Sequence, residues 1–194
     1  MRVYLLAFVI LMMTNGEVLL GQNLTSKDVI PDNGVYHSLQ DFNLHRLSYS
    51  FQNKKEGYQL KLPRLNTIEI KMPNLTTRIY LRNVWGFRQN GHDWVFRNGE
   101  LFELLNYEGL WIYQKSVLDD SGNHDLYYFS KSPESEIIWL NRKNIKEVFA
   151  KDTAFVNALE LLKWSQSIDT VIPPNNKLRI VELYKISHSN NTQY

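Results

Sequence analysis

Three groups of ionisable residues in this sequence have the types that proton-transfer chemistry uses. They are His92-Asp93, His124-Asp125, and the pair Glu100 and Glu103. A histidine or a carboxylate can serve as general acid or base in a hydrolysis. Glu100 and Glu103 are three positions apart on a predicted strand, so they point to opposite faces and are poorly placed to share one substrate. A hydrolase built on these groups requires that two of them come within hydrogen-bond distance in a shared cleft.

Short catalytic and metal-binding motifs are absent from the sequence. It contains no GxSxG, P-loop or GxGxxG motif, and no SxxK motif with its partners. None of the five histidines belongs to an HxH or HExxH pattern. A metal site shared by His92 and His124 would need both loops at the same end of a sheet. The sequence therefore predicts no catalytic residue, no metal ligand and no cofactor.

Three predicted strands carry a tryptophan followed two positions later by another aromatic residue. Side chains two positions apart on a strand share a face, so the pairs can line up across a sheet. Such a face can bind sugar rings or another flat apolar ligand, or it can be a core face covered by C-terminal helices. We favour the core and keep the face as a candidate ligand-binding site. Its residues are Trp85, Phe87, Trp94, Phe96, Trp111 and Tyr113.

Charge is unevenly distributed along the chain. Residues 53–97 contain nine basic residues against three acidic ones, whereas residues 98–160 contain six basic and eleven acidic residues. The basic segment is suited to an anionic surface such as lipopolysaccharide or a phosphate-bearing polymer. The simpler interpretation, which we favour, is that these cations are solvated residues at strand edges, where they discourage aggregation.

Turn signals divide the middle of the chain into consecutive short strands. Asn90-Gly91 and Asn98-Gly99 supply the positive φ angles of type I′ turns. Because the connections are short, the strands must be antiparallel neighbours. Gly86 is expected to mark a bulge or a sharply coiled strand. The six predicted strands are 78–88, 93–97, 100–106, 110–117, 126–130 and 136–140, with a polar loop at 119–123.

The segment before this meander predicts shorter elements. Ser38 and Asp41 have the spacing of a capping box, which indicates a short helical turn. Alternating apolar residues in 47–62 indicate two strands joined across 53–57. Residues 68–72 alternate cleanly and predict a further, half-buried strand.

The period of the apolar residues changes after residue 140. Asn141 and Asp152 are suited to cap two helices, and a last short helix, or a strand, follows around residues 178–184. The predicted fold class is therefore α+β: an antiparallel β-meander of about six or more strands with two to three short C-terminal helices packed on it.

The composition supports one folded domain without covalent cross-links. The chain has 194 residues, of which 43% are hydrophobic and 22% charged, and it contains no cysteine. The lack of cysteine excludes disulfides, thiolate catalysis, cysteine-ligated zinc and iron–sulfur clusters. The net charge of +2 argues against a dedicated nucleic-acid binder, which usually has a clear basic excess.

The N-terminal residues predict export. Arg2 is followed by eleven residues without charge, Val3 to Met13. This run is shorter than the roughly 20 residues that span a bilayer, but it suits the apolar part of a secretory signal peptide. Cleavage is predicted after Gly16 or Gly21, and an uncleaved signal anchor is the alternative. The predicted organisation is a signal peptide at 1–21, a flexible arm at 22–33, a single domain at 34–187 and a frayed tail at 188–194, with no transmembrane helix in the mature chain.

Export without cysteine also indicates a compartment. Secreted eukaryotic domains commonly use disulfides, because their compartment permits them. An exported chain without cysteine fits the periplasm or outer cell surface of a Gram-negative bacterium better.

A series of short motifs, made of turns, aromatic residues and a helix start, extends from about Gly34 to Trp164. It consists of Gly34-Val35-Tyr36-x-Ser38-x-x-Asp41-Phe42, Val84-Trp85-Gly86-Phe87, Gly99-Glu100-Leu101-Phe102, Tyr107-x-Gly109-Leu110-Trp111-Ile112-Tyr113 and a helix start at Leu140 to Lys146. This order resembles uncharacterised secreted proteins of Bacteroidetes-type bacteria. The resemblance implies export and low cysteine content; it carries no assigned activity and no functional residue.

These observations predict an exported, non-catalytic binding or structural component of the bacterial periplasm or cell surface. The candidate partners are an envelope glycan, a lipid or a protein. An envelope-acting hydrolase with a dispersed carboxylate and histidine site is the alternative from another class. A self-associating envelope component is a third hypothesis.

Overall fold

The computed structural model describes residues 30–64, 66–120, 122–163, 165–174 and 176–189 of the chain. The predicted signal peptide, residues 22–29 of the predicted arm and residues 190–194 of the predicted tail lie outside the described residues. Among these described residues, the first strand begins at Asn33 and the last helix ends at Ser189. Regular structure thus extends slightly beyond the predicted domain of residues 34–187 at both ends.

The described residues form four α-helices, a short 3₁₀ helix and thirteen strands. The helices are α1 (Leu39–Asn43), α2 (Arg142–Val148), α3 (Thr153–Leu161) and α4 (Arg179–Ser189), and the 3₁₀ helix is Leu81–Asn83. The strands are β1 (Asn33–Tyr36), β2 (Ser48–Phe51), β3 (Gln59–Arg64), β4 (Thr67–Met72), β5 (Leu75–Tyr80), β6 (Gly86–Gln89), β7 (His92–Arg97), β8 (Glu100–Asn106), β9 (Trp111–Asp119), β10 (Gly122–Ser130), β11 (Ile138–Trp139), β12 (Val171–Ile172) and β13 (Lys177–Leu178).

An antiparallel sheet of eight strands is the centre of the described fold. Its order is β11-β10-β9-β8-β7-β6-β1-β2, so the six strands from β6 to β11 are sequential neighbours. The predicted meander is confirmed, and the fold class is α+β. Asn90-Gly91 and Asn98-Gly99 both have positive φ angles, as type I′ turns require.

The structure differs from the predicted strands where the chain changes sheets. The single strand predicted at 78–88 is wrong: it is β5, the 3₁₀ helix and β6, because the chain leaves one sheet at Tyr80 and enters another at Gly86. The two strands predicted in 47–62 are present and follow each other across residues 52–58, but they belong to different sheets, since β2 pairs with β1 and β3 pairs with β4. The predicted loop at 119–123 is shorter, because β9 and β10 pair as far as Asp119 and Gly122.

The two faces of the large sheet follow from its register, and each is named here after one residue. The Trp94 face carries the aligned residues Val35, Phe87, Trp94, Glu103 and Gln114. The Tyr113 face carries Tyr36, Gly86, Val95, Phe102, Leu104 and Tyr113.

Two separate layers cover the Trp94 face. The antiparallel sheet β3-β4-β5 packs on one half, where Leu60, Ile68 and Ile70 form a cluster with Phe87 and Val35. The helices α2, α3 and α4 pack on the other half, around Ile112 and Phe129, with side chains that include Ile145, Phe155, Leu159 and Ile180. Between these layers, the middle of the face is less covered. The Tyr113 face packs against α1 through Phe42.

Local capping explains where the helices begin. Asn141 and Asp152 accept hydrogen bonds from the backbone amides of Asn144 and Phe155, so both predicted caps are confirmed. Ser38 and Asp41 form the predicted capping box of α1. None of the helices in the described ranges has the length and apolar character needed to cross a membrane.

Candidate functional site

The main candidate site is a cavity of about 730 Å³ on the Trp94 face. It lies beside the β3-β4-β5 layer and is mostly apolar. Its volume falls in the range of roughly 300–1,000 Å³ that small-molecule sites occupy. We call it the Trp94 cleft, and its lining includes Leu62, Leu81, Trp94, Leu101, Glu103 and Gln114.

The floor of the cleft is set by the pairing of three consecutive strands. Trp94 on β7 lies opposite Glu103 on β8, and Glu103 lies opposite Gln114 on β9. The two-residue turn at Asn98-Gly99 fixes the first of these pairings, since loop length determines hairpin register. An aromatic ring, a carboxylate and an amide are thereby placed side by side on rigid strands.

Trp94 is held in place from within the protein. Its indole lies nearly parallel to the ring of Phe87, with the centroids 6.3 Å apart and the planes inclined by 9°. Phe87 is fully buried, whereas Trp94 is only partly buried and lines the cleft. A tryptophan supported in this way offers a preformed apolar surface with little conformational freedom left to lose on binding.

Polar groups occupy one side of the cleft. His92 Nδ1 lies 2.6 Å from Glu103 Oε1. The hydroxyl of Ser116, which also lines the cavity, donates to Asp125 at 2.6 Å. This side therefore carries fixed hydrogen-bonding groups, while Leu62, Leu81 and Leu101 make another part of the lining apolar.

Glu100 also borders the cavity, but in a different environment from Glu103. Lys115 Nζ contacts Glu100 Oε1 at 2.6 Å. In the β7–β8 register, Glu100 lies opposite Arg97 and Glu103 lies opposite Trp94, so the two glutamates belong to opposite faces of the sheet, as the sequence predicts. The cavity reaches Glu100 at the start of β8, next to the turn.

The six aromatic residues of the predicted face do not form one surface. Phe87, Trp94 and Phe96 pack with the cluster beneath β3-β4-β5, whereas Trp85, Trp111 and Tyr113 belong to the cluster on the opposite face. Trp85 and Phe87 are separated because β6 begins only at Gly86, so the strand period does not extend to Trp85.

The covering of these aromatic residues also differs from the prediction. Phe87 is covered by the small sheet and Trp94 is partly buried against the same cluster, while Trp85 and Trp111 pack against Phe42 of α1. The C-terminal helices cover Ile112 and Phe129 instead. Of the six predicted residues, Trp94 lines the Trp94 cleft.

The other histidine of the predicted pair lies elsewhere. His92 stands at the start of β7, near the end of β8, while His124 pairs with Val117 close to the β9–β10 turn. The register also places them on opposite faces of the sheet. Within the described ranges, no three histidine and carboxylate side chains converge as a metal site.

A serine, histidine and aspartate meet at the C-terminal helix, which sequence analysis missed. His188 Nε2 lies 3.0 Å from Asp152 Oδ2, and Ser187 Oγ lies 3.1 Å from His188 Nδ1. However, Nδ1 is also 2.8 Å from the carbonyl of Tyr184, a contact that requires a proton on Nδ1. Nδ1 therefore cannot accept the proton of Ser187, and the arrangement fastens α4 to the start of α3 rather than forming a nucleophile.

A partly buried polar network lies on the Tyr113 face. The Tyr36 hydroxyl donates to Asp93 Oδ1 at 3.0 Å, and Arg88 donates to Asp93 Oδ2 at 2.9 Å. Burial raises the pKa of Tyr36 well above its ordinary value, and the charge of Asp93 raises this pKa further. The network links β1, β6 and β7 and supports the strand that carries Trp94.

Comparisons of this chain with protein-family models, curated proteins and solved structures found no match.

Proposed function

We propose that this protein is an exported, non-catalytic binding protein of the bacterial periplasm or cell surface, and that it holds a glycan in the Trp94 cleft. The observation that carries the proposal is the alignment of a supported tryptophan with Glu103 and Gln114 on the floor of an open cavity. This alignment matches the two chemical sides of a sugar ring.

A sugar ring has an apolar face of C–H groups and an edge of hydroxyls. The apolar face packs favourably on an indole ring, because both surfaces leave water. A carboxylate such as Glu103 can accept hydrogen bonds from two adjacent hydroxyls, and an amide such as Gln114 can both donate and accept. An acyl chain would leave these polar groups dehydrated without partners, which costs free energy. The lining therefore favours a glycan over a lipid tail.

The proposed location is supported by the sequence. The charged Arg2 and the uncharged run from Val3 to Met13 have the pattern of a secretory signal peptide. The lack of cysteine and the resemblance to uncharacterised secreted proteins of Bacteroidetes-type bacteria favour a Gram-negative envelope.

A glycan array probed with the purified protein tests the proposal. We expect binding to a defined set of glycans. Trp94→Ala should weaken that binding at least about tenfold, since truncation of a central aromatic anchor removes much of the binding energy. The matched control is Trp139→Ala, because Trp139 is 59% exposed on β11 and does not line the cleft.

A second variant guards against a folding artefact. Glu103→Gln keeps the size of the side chain and the Trp94–Phe87 packing, and should also weaken binding while the thermal unfolding transition stays close to that of the wild type. Absence of glycan binding, or equal binding by the wild type and both cleft variants, would overturn the proposal.

The envelope-acting hydrolase is a second candidate, and one contact favours it. His92 and Glu103 lie 2.6 Å apart, and Glu103 lines the cleft, so one of two hydrogen-bonded candidate groups faces the cavity. Incubation of a bound glycan with the protein distinguishes the two functions. Hydrolysis products that form with the wild type and not with Glu103→Gln would establish catalysis, whereas an intact glycan would support binding alone.

A further inference from the structure

The solvent-facing side of the β3-β4-β5 sheet is strongly basic. Leu60 on β3 and Ile68 and Ile70 on β4 point inward to the core, so the residues next to them along each strand point outward. The pairings Lys61↔Glu69 and Glu69↔Arg78 place these three residues in one outward row, and Lys71 belongs to the same side. We call this side the basic outer face. Its cations are Lys61, Lys71 and Arg78 on the strands, together with Arg82 of the following 3₁₀ helix, whose guanidinium lies over the outward-facing ring of Tyr80.

Four cations share this face with one carboxylate among the described residues. Arg78 contacts Glu69 at 2.7 Å, so Glu69 neutralises one of them. Lys61, Lys71 and Arg82 are exposed. Their excess positive charge gives the face an attractive field for anions.

An exposed aromatic residue accompanies these cations. Tyr80 points outward from β5 and is 51% exposed, and the guanidinium of Arg82 lies 5.2 Å from the centre of its ring. Tyrosine combines an apolar ring with a polar hydroxyl, a property that suits the boundary between lipid headgroups and acyl chains.

We propose that the basic outer face docks this protein on an anionic lipid bilayer. Alternate side chains of three paired strands form a patch about 10 Å across the strands, and cations spread in two dimensions fit a membrane plane better than a single polymer strand. Each basic side chain near an anionic surface strengthens binding about fivefold. Salt weakens the interaction, because the charges are exposed.

Docking on this face leaves the Trp94 cleft accessible to its ligand. Leu62 lines the cleft from the inner side of β3, whereas Lys61 lies on the outer side of the same strand. The membrane and the proposed glycan therefore contact opposite sides of one sheet, and the two proposals can be tested separately.

Co-sedimentation with lipid vesicles tests this proposal. The measured quantity is the difference in bound fraction between vesicles of 30% phosphatidylglycerol in phosphatidylcholine and vesicles of pure phosphatidylcholine, so adsorption that does not depend on charge cancels. The test variant is Lys61→Gln/Lys71→Gln. The matched control is Lys143→Gln/Lys151→Gln, which removes two exposed lysines at a distant part of the chain, on and just after α2.

We expect the wild type and the control to prefer the anionic vesicles at low salt, and the Lys61/Lys71 variant to lose affinity by roughly 20-fold. Raising the salt concentration should abolish the preference. Equal preference by all three proteins, or equal loss in the test and control variants, would overturn the proposal. So would binding to soluble polyphosphate without preference for anionic vesicles, which would identify a polymer site instead.

Discussion

Trp94 lies directly opposite Glu103 in the antiparallel pair β7–β8. This pairing places an aromatic surface next to a carboxylate on the floor of the Trp94 cleft. The packing of Trp94 on buried Phe87 and the contact of Glu103 with His92 hold both side chains in position. The binding proposal depends on this relationship more than on any other.

Gly86→Ala should destabilise the protein by about 2 kcal/mol or more. A Cβ atom at this position would lie 2.5 Å from the carbonyl oxygen of Trp94, and backbone on a paired strand cannot move away easily. Urea unfolding measures the effect. The comparison is Gly99→Ala, where no atom beyond the adjacent residues lies within 4 Å of the added carbon and only the positive φ angle of 83° is unfavourable. This variant should lose about 1 kcal/mol. Equal losses at the two positions would contradict the close approach at Gly86.

The stability supplied by Asp41 should disappear in acid. Its carboxylate accepts hydrogen bonds from the hydroxyl and backbone amide of Ser38, at 2.7 and 3.1 Å, and contacts Arg46 at 2.9 Å. The hydrogen bond from Ser38 is the main cause that lowers the pKa of Asp41 below 3.8. A carboxyl group whose pKa is lower in the folded state than in the unfolded chain stabilises the fold at pH values above the unfolded pKa. This stabilisation is lost as the pH falls through the folded pKa.

The difference in unfolding free energy between the wild type and Asp41→Asn should therefore be larger at pH 6 than at pH 3. Asp120→Asn, in the exposed turn after β9, serves as the control. A difference that does not change between the two pH values would mean that the capping box contributes nothing through the charge of Asp41.

Tyr36 should make the protein sensitive to alkali. Burial raises the pKa of this phenol from 10.0, so the folded state retains a proton that the unfolded chain loses. Stability from this group is present below pH 10 and decreases as pH rises above it. Tyr36→Phe should cost about 1 kcal/mol at pH 7, because the hydrogen bond to Asp93 is lost. The difference in unfolding free energy between the wild type and Tyr36→Phe should therefore decrease between pH 9 and 11.

Guanidinium unfolding at several pH values measures this effect, with Tyr107→Phe on the exposed segment after β8 as the comparison. A deficit of Tyr36→Phe that stays constant up to pH 11 would show that the phenol ionises equally in both states.

Local sequence patterns were sufficient to predict many of the turns and helix starts of this fold. Asn-Gly favours the positive φ angles of a type I′ turn, so Asn98-Gly99 between two predicted strands was enough to predict a hairpin. The caps at Ser38, Asn141 and Asp152 act within three residues, and all three were predictable for the same reason.

Long-range packing was not predictable from these signals. The period of a strand predicts one face for Trp85 and Phe87, but the chain crosses between two sheets just before Gly86. The position of β1 beside β6 depends on contacts about 50 residues apart, which local patterns do not encode. The layer formed by β3, β4 and β5 was missed for the same reason.

The pairing of Trp94 with Glu103 in the candidate site could have been predicted from the sequence. A two-residue turn at Asn98-Gly99 pairs Arg97 with Glu100, and counting back along both strands pairs Trp94 with Glu103. The same count makes His92 a diagonal neighbour of Glu103, within reach of its side chain. The cavity itself required the small sheet, so its volume and its apolar wall could not be anticipated.

The proposed function requires that a glycan lies on the Trp94 indole. The most direct measurement is a titration of ¹⁵N-labelled protein with the strongest glycan from the array, followed through the indole N–H resonances of the five tryptophans. The Trp94 signal is assigned by its loss in Trp94→Phe. We predict that the Trp94 resonance shifts progressively to saturation while that of Trp139 stays in place. Saturation of binding with the Trp94 resonance unchanged would contradict the proposed site.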